Sequence, residues 1–256
     1  MRRPHPPRRI RRAARQARLG RTVKVYDPRR QAYVWIGLVG VAGVALGVAG
    51  LDYRRSEQPV AGWATLGLSA LYLTAVAWIA WRVVIRGRVV YLMEKGFVMG
   101  RPTETFAWDE LVSVTMAGVR RVRRGRTEWR FTVVTSGGRE TELSPGLPGV
   151  SELGELVIAE VTARVLPWYL RAVRTGGTVS FGPFLVDREG IAKDGDRIPW
   201  ASVQDVVIEN GVVQVLRSWD FTGGGGLAAT VGAVPNAVAF TALCGKIRAD
   251  SGVGRQ

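Results

Sequence analysis

Residues 33–51 read YVWIGLVGVAGVALGVAGL and residues 60–81 read VAGWATLGLSALYLTAVAWIAW, 19 and 22 positions without one charged side chain. A helical apolar run of about 18 residues or more is long enough to cross a hydrocarbon layer about 30 Å thick. Helices of soluble proteins carry a polar stripe at this length, and neither segment has one. Between them Asp52-Tyr53-Arg54-Arg55-Ser56-Glu57-Gln58-Pro59 has no net charge. The pair predicts a transmembrane helical hairpin over residues 31–87, with helices at about 33–51 and 60–81. Tyr33, Trp35 and Tyr53 bracket the first segment and Trp63, Trp78 and Trp81 lie near the ends of the second, as two interfaces require. A cleaved signal peptide would account for Gly47-Val48-Ala49-Gly50, but a 30-residue basic leader and a second apolar segment argue against it.

The charge outside the hairpin sets its orientation. Residues 1–30 hold 12 of the 36 basic residues and one acid, Asp27, and so carry +11 of the net +15. The flank after the hairpin adds Arg82, Arg86 and Arg88, against two arginines in the loop. The positive-inside rule then places both termini in the cytoplasm, which makes the expected location a bacterial inner membrane crossed twice. A single cysteine fits a reducing compartment. In the tail, Arg8, Arg9, Arg11, Arg12, Arg15 and Arg18 fit a helix with Ile10, Ala14 and Ala17 on another face, but that apolar face is weak, so residues 1–30 are expected to be a disordered basic arm that clings to the leaflet. Nucleic-acid binding by this arm is the less favoured reading, because the positive charge sits on a tail and not on the face of a folded domain.

Gly40, Gly43, Gly47 and Gly50 recur at spacings of three, four and three, on one helical face. Gly67, Ala70, Thr74 and Ala77 do the same in the second helix. Small residues let helix backbones approach where no hydrophobic effect acts between them. Their expected use is packing inside the hairpin, with homo-oligomerisation as the alternative.

From Val89 the pattern changes to short β-branched and aromatic runs broken by Gly, Asn and Pro. Val89 to Met93, Phe97 to Met99, Val112 to Val119, Glu128 to Thr135 and Arg139 to Leu143 are predicted strands, with Ser136-Gly137-Gly138 as a turn. A helix follows over 148–166, where Leu153, Val157, Val161 and Val165 recur every four residues. The order then repeats. Glu94-Lys95-Gly96-Phe97-Val98 and Trp108-Asp109-Glu110-Leu111-Val112 have counterparts in Arg188-Glu189-Gly190-Ile191-Ala192 and Trp200-Ala201-Ser202-Val203-Gln204. Strands at Val203 to Glu209 and Val212 to Leu216 flank Asn210-Gly211, a type I′ hairpin signal. Leu227 to Val231 adds a strand and Pro235-Asn236 starts a final helix. Two α+β units are expected, 88–175 and 178–250. The second reads as shorter, with 10 residues from Gly to Trp against 12 and a Gly223 to Gly226 run.

Thr178-Val179-Ser180-Phe181-Gly182-Pro183, Asp187-Arg188-Glu189-Gly190, Ile198-Pro199-Trp200, Tyr91-Leu92-Met93-Glu94-Lys95-Gly96 and Trp108-Asp109-Glu110 are the segments that carry a resemblance. With them, roughly 88–245 resembles an uncharacterised bacterial family of membrane proteins with pleckstrin-homology-like domains. The resemblance implies a bent seven-stranded antiparallel sheet capped by a helix in each copy, a membrane-associated role and no catalytic residue.

The residues offer little to a reaction. The only histidine, His5, lies in the tail and the only cysteine, Cys244, on an apolar helical pattern, so neither a histidine-dependent triad nor a Cys/His metal site can be assembled. Asp194-Gly195-Asp196 lacks the further ligands of a calcium loop. No cofactor is expected. The standing candidate is Arg120, Arg121, Arg123, Arg124 and Arg126, five arginines on one hairpin tip, where anionic headgroups attract each basic residue by about 1 kcal/mol. The expected function is a non-enzymatic, membrane-anchored interaction module whose partners are membrane lipids or a membrane protein. The alternative is an oligomeric scaffold or accessory subunit.

Overall fold

The hairpin interrupts a sheet that has already begun. A computed structural model describes residues 6–55, 59–86, 89–100, 102–120, 127–218 and 226–250. Its first elements are α1 (Arg8–Gln16), β1 (Thr22–Tyr26), α2 (Arg29–Arg55), α3 (Pro59–Arg86), β2 (Val90–Met93), β3 (Gly96–Gly100) and β4 (Thr103–Ala107). The sheet order is β1-β2-β3-β4, and β1 is antiparallel to β2 with Tyr26 opposite Val90 and Val25 opposite Tyr91. Both long helices are therefore an insertion between two neighbouring strands. Their ends leave the sheet side by side.

The basic tail, expected to lack structure, holds α1 and β1. Ile10, Ala14 and Leu19 are buried, and α1 packs on β3. The helix ends in a Schellman turn: the Leu19 N–H donates to the Ala14 carbonyl at 2.9 Å and the Arg18 N–H to that of Arg15 at 3.1 Å. Arg18 takes the left-handed conformation there, with φ 53°. The helical spacing was legible but the docking was not, because only one large apolar residue, Ile10, marks the buried face of α1.

The helices α2 and α3 pack antiparallel. The Ser69 hydroxyl, buried, donates to the Gly43 carbonyl at 2.9 Å. The two helices differ as membrane spans. Among the described residues only Val60–Arg82 on α3 is long and apolar enough to cross a membrane, with mean hydropathy 1.5. On α2 the apolar stretch found among the described residues is Ile36–Asp52, 17 residues. The expected two-span hairpin is thus reduced to a helical pair in which, among the described residues, one helix is both long and apolar enough to span.

The remaining elements are β5 (Leu111–Arg120), β6 (Thr127–Thr135), β7 (Glu140–Leu143), α4 (Val150–Arg174), β8 (Val179–Phe181), β9 (Phe184–Val186), β10 (Gly190–Lys193), β11 (Asp196–Pro199), β12 (Val203–Glu209), β13 (Val212–Arg217), β14 (Leu227–Thr230) and α5 (Ala237–Asp250). Three further antiparallel sheets run β5-β6-β7, β8-β9-β10-β11 and β12-β13-β14. The protein is a mixed α+β chain with four antiparallel sheets. The order from β1 to α4, with a 3-10 turn at Trp108–Glu110, is repeated from β8 to α5, with its 3-10 turn at Trp200–Ser202. Each copy has seven strands among the described residues, and the closing helix of the second, at 14 residues, is shorter than the 25 of the first. Where α2 and α3 separate β1 from β2, Gly182-Pro183 alone joins β8 to β9.

By contact the chain divides into two compact units, residues 1–105 with 146–148, and 106–145 with 149–256. This division differs from the 88–175 and 178–250 expected from the repeat. In the second unit α4 runs eight residues beyond the expected end and passes through Pro167. The lost hydrogen bond is offset by burial of Leu170 and Val173 beyond it, in a core shared with Phe181, Phe184 and Phe240. The Phe184 and Phe240 rings stack with centroids 5.0 Å apart.

Asn236, buried and left-handed at φ 53°, ties the two copies together inside this unit. Its backbone N–H donates to the Val114 carbonyl at 2.8 Å, and its Oδ1 accepts the Val114 N–H at 2.8 Å. Its Nδ2 donates to the Val112 carbonyl at 2.9 Å and to the Tyr169 hydroxyl at 3.0 Å. One amide thus satisfies the edge of β5 as a neighbouring strand would. Asn236→Ala leaves buried groups on β5 without partners, each costing about 1–3 kcal/mol. The expected outcome is a loss of at least about 2 kcal/mol in chemical denaturation of the full chain.

Candidate functional site

Of the glycines expected to pack the hairpin, three do so. A Cβ at Gly43 would lie 2.7 Å from Leu73 Cδ2, one at Gly47 3.1 Å from Ser69 Oγ and one at Gly50 3.1 Å from the Leu66 backbone nitrogen. Gly40 has nothing within 4 Å of that position, and neither has Gly67. Ala70, Thr74 and Ala77 are exposed, so the small-residue row of α3 faces away from α2. The spacing was legible but the facing was not, because two helices share only one seam. Gly43→Leu is expected to lower the thermal transition of the detergent-solubilised chain by several degrees, and Gly40→Leu to leave it unchanged.

The arginine tip divides between described and undescribed residues. Arg120 closes β5, which pairs with Thr127 at the start of β6, so the two strands do form the expected hairpin. Arg121, Arg123, Arg124 and Arg126 lie outside the described residues. The structure brings together another set that the sequence reading took for an unstructured arm. Arg8, Arg9, Arg11, Arg12 and Arg15 are exposed on α1, and none pairs with an acid among the described residues. Their fixed placement comes from the buried Ile10 and Ala14 on the opposite face. The signal in the sequence was the i, i+4 spacing of those two residues within an otherwise basic run.

The repeated Gly-to-Trp segments turn out to be a scaffold. In the second copy Asp187 Oδ1 accepts the backbone N–H groups of Glu189 at 2.9 Å and Gly190 at 3.1 Å. Arg197 forks onto the same carboxylate at 3.0 and 2.8 Å and reaches Glu189 at 2.9 Å. The Asp187 carbonyl accepts the Trp200 indole N–H at 3.0 Å, which fixes the buried ring in the core. Gly190 is required here, since a Cβ would lie 2.1 Å from the Ile198 carbonyl oxygen. In the first copy Asp109 accepts from Arg164 at 3.1 Å and Glu110 from Arg139 at 3.2 Å, so these acids serve separate surface pairs.

Asp194 and Gly195, with φ 52° and 93°, form the tight turn between β10 and β11. Among the described residues no three His, Cys, Asp or Glu side chains converge as metal ligands. Cys244 is fully buried, and that burial pushes its thiol up, away from the reactive thiolate. Burial likewise pushes the Tyr169 hydroxyl up from its ordinary 10.0, against the opposing effect of the Asn236 hydrogen bond.

Partial burial pulls the Asp187 carboxyl upward, but Arg197 and the two backbone N–H groups outweigh it and hold the group below its ordinary 3.8. A depressed carboxylate stabilises the fold above its unfolded value, and the contribution disappears as pH falls through the folded value. Asp187→Asn is therefore expected to lower stability at pH 7. Its deficit relative to the unmodified chain should close as denaturation is repeated down through the carboxylate range.

A family described as "Family of unknown function (DUF6585)" matches residues 3–251. The match extends well beyond the region that carried the sequence resemblance and takes in α1 and both long helices. No curated protein matches the chain.

Proposed function

We propose that this chain, which belongs to the family of unknown function DUF6585, is a membrane-anchored, non-enzymatic interaction module. In this reading α2 and α3 cross the membrane together, and the β-rich copies are pleckstrin-homology-like domains at the cytoplasmic face. They recognise anionic lipid headgroups or a membrane-protein partner.

The observation that carries the reading is the insertion of the helical pair between β1 and β2. Tyr26 opposite Val90 holds both helix ends at one sheet edge. A helix packed antiparallel along α3 shares whatever slab α3 occupies, so a crossing by α3 supports a crossing and return by the pair. At 27 and 28 residues the two are each about 40 Å long. Their outward side chains are apolar and uncovered: Val41 is 70% exposed, Leu71 69% and Trp78 62%. An apolar surface of this extent calls for lipid or protein around it.

The β regions support the pleckstrin-homology-like reading by their repeated order of seven strands and a closing helix. The outward row of Gly67, Ala70, Thr74 and Ala77 favours, as a second reading, an oligomeric scaffold or accessory subunit joined through α3.

The topology is testable with single cysteines on a Cys244→Ser background. Asp52→Cys, in the last turn of α2, is expected to react with an impermeant maleimide added to intact cells, and Gln16→Cys only after lysis. Reaction of both, or of neither, before lysis would refute the two-span anchor.

A further inference from the structure

The docked helix α1 lies beside the point where the chain leaves the hairpin. Its C-terminal end is held at the far end of the sheet, where the Leu19 carbonyl accepts the Lys95 N–H at 3.0 Å and the Arg21 carbonyl the Glu94 N–H at 3.1 Å. Its N-terminal end lies next to Val89, three residues after α3 ends at Arg86. Nine residues at 1.5 Å each make α1 about 14 Å long. The helix therefore runs from the hairpin end of the sheet outward.

At the hairpin end there is a cleft of about 390 Å³. Ile10, Val89, Tyr91 and Pro102 give it apolar walls, Thr103 a hydroxyl and Arg9 a cation. The Gly100 N–H closes its rim on the Val89 carbonyl at 2.7 Å. Apolar lining residues together with a cation, Arg9, are the complement of a phospholipid: a charged phosphate beside glycerol and first methylenes. The neighbouring guanidinium groups of Arg8 and Arg12, exposed and without an acidic partner among the described residues, add positive potential on the same end of α1.

We propose that α1 and this cleft form a binding site for an anionic phospholipid, with Arg9 on the phosphate, Ile10, Val89, Tyr91 and Pro102 against its glycerol region, and Arg8 and Arg12 supplying the surrounding field. The inference rests on the membrane-anchored reading above and moves headgroup recognition from the arginine tip to α1. Nucleic acid is the weaker occupant, because the cleft is small, half apolar and adjoins the apolar pair. Screening limits the field to about 8 Å at physiological salt, so Arg15, one to two turns further out, contributes least.

The test places the full chain in nanodiscs of phosphatidylcholine with one-tenth phosphatidylglycerol and counts retained lipids by native mass spectrometry. Retained phosphatidylglycerol is expected to exceed its share in the disc. Arg9→Gln should lower that enrichment about fivefold, from roughly 1 kcal/mol per basic residue at an anionic surface. Arg9→Lys should keep most of it and Arg15→Gln nearly all. Thr103→Trp, which fills the cleft without changing charge, should also lower it, with an unchanged thermal transition reporting an intact fold. Enrichment that survives Arg9→Gln and Thr103→Trp but is lost when Arg120, Arg121, Arg123, Arg124 and Arg126 become Gln would overturn the site and leave the lipid reading standing. An unmodified chain without enrichment would overturn both. Duplex DNA binding that depends on Arg8, Arg9 and Arg12, in a chain showing no enrichment, would assign α1 to nucleic acid instead.

Discussion

The pairing of Thr22–Tyr26 with Val90–Met93 is the contact on which the arrangement of the first unit depends. It joins residues on either side of both long helices, a closure that would be entropically costly for a flexible loop of that length. The antiparallel packing of α2 on α3 removes most of that cost, since it returns the chain to its starting point. Ser69 on Gly43, with Gly47 and Gly50 leaving room for the approach, is what makes the return compact. The strand pair and the helix pair are thus mutually supporting.

A second constraint governs the other unit. Asn236 stands at the start of the last helix, but its amide is spent on β5 of the first copy and on Tyr169 of α4. The C-terminal half of α4 in turn buries Leu170 and Val173 in the core of the second copy. Neither copy is self-contained. That explains why compact units cut the chain elsewhere than a repeat boundary would.

Strands with alternating β-branched residues and glycine-marked turns were legible one by one. Asn210-Gly211 adopts the positive φ angles that its sequence calls for, and β5, β6, β7, β12 and β13 fall on the runs that announce them. The short strands β1, β8 and β9 were not legible as strands, because three to five residues give too few alternations to define a period. Residues 8–16 went unrecognised as a docked helix for a related reason. Their buried face is one isoleucine and one alanine, and their charge dominates any composition window.

The sequence by itself determined which segments are apolar, where the longer strands lie, that the order repeats and that the chain holds one histidine and one cysteine. Those properties are carried by each residue or its near neighbours and survive reading along the chain. Only the tertiary structure decided that the long helices interrupt a sheet, that Gly43 packs while Gly40 does not and that the basic run is a fixed helix beside a cleft. Each of these depends on a partner distant in sequence, such as Val90 for Tyr26, Leu73 for Gly43 and β3 for α1. Local periodicity cannot name a distant partner, because burial and hydrogen bonding are settled only when the second surface arrives.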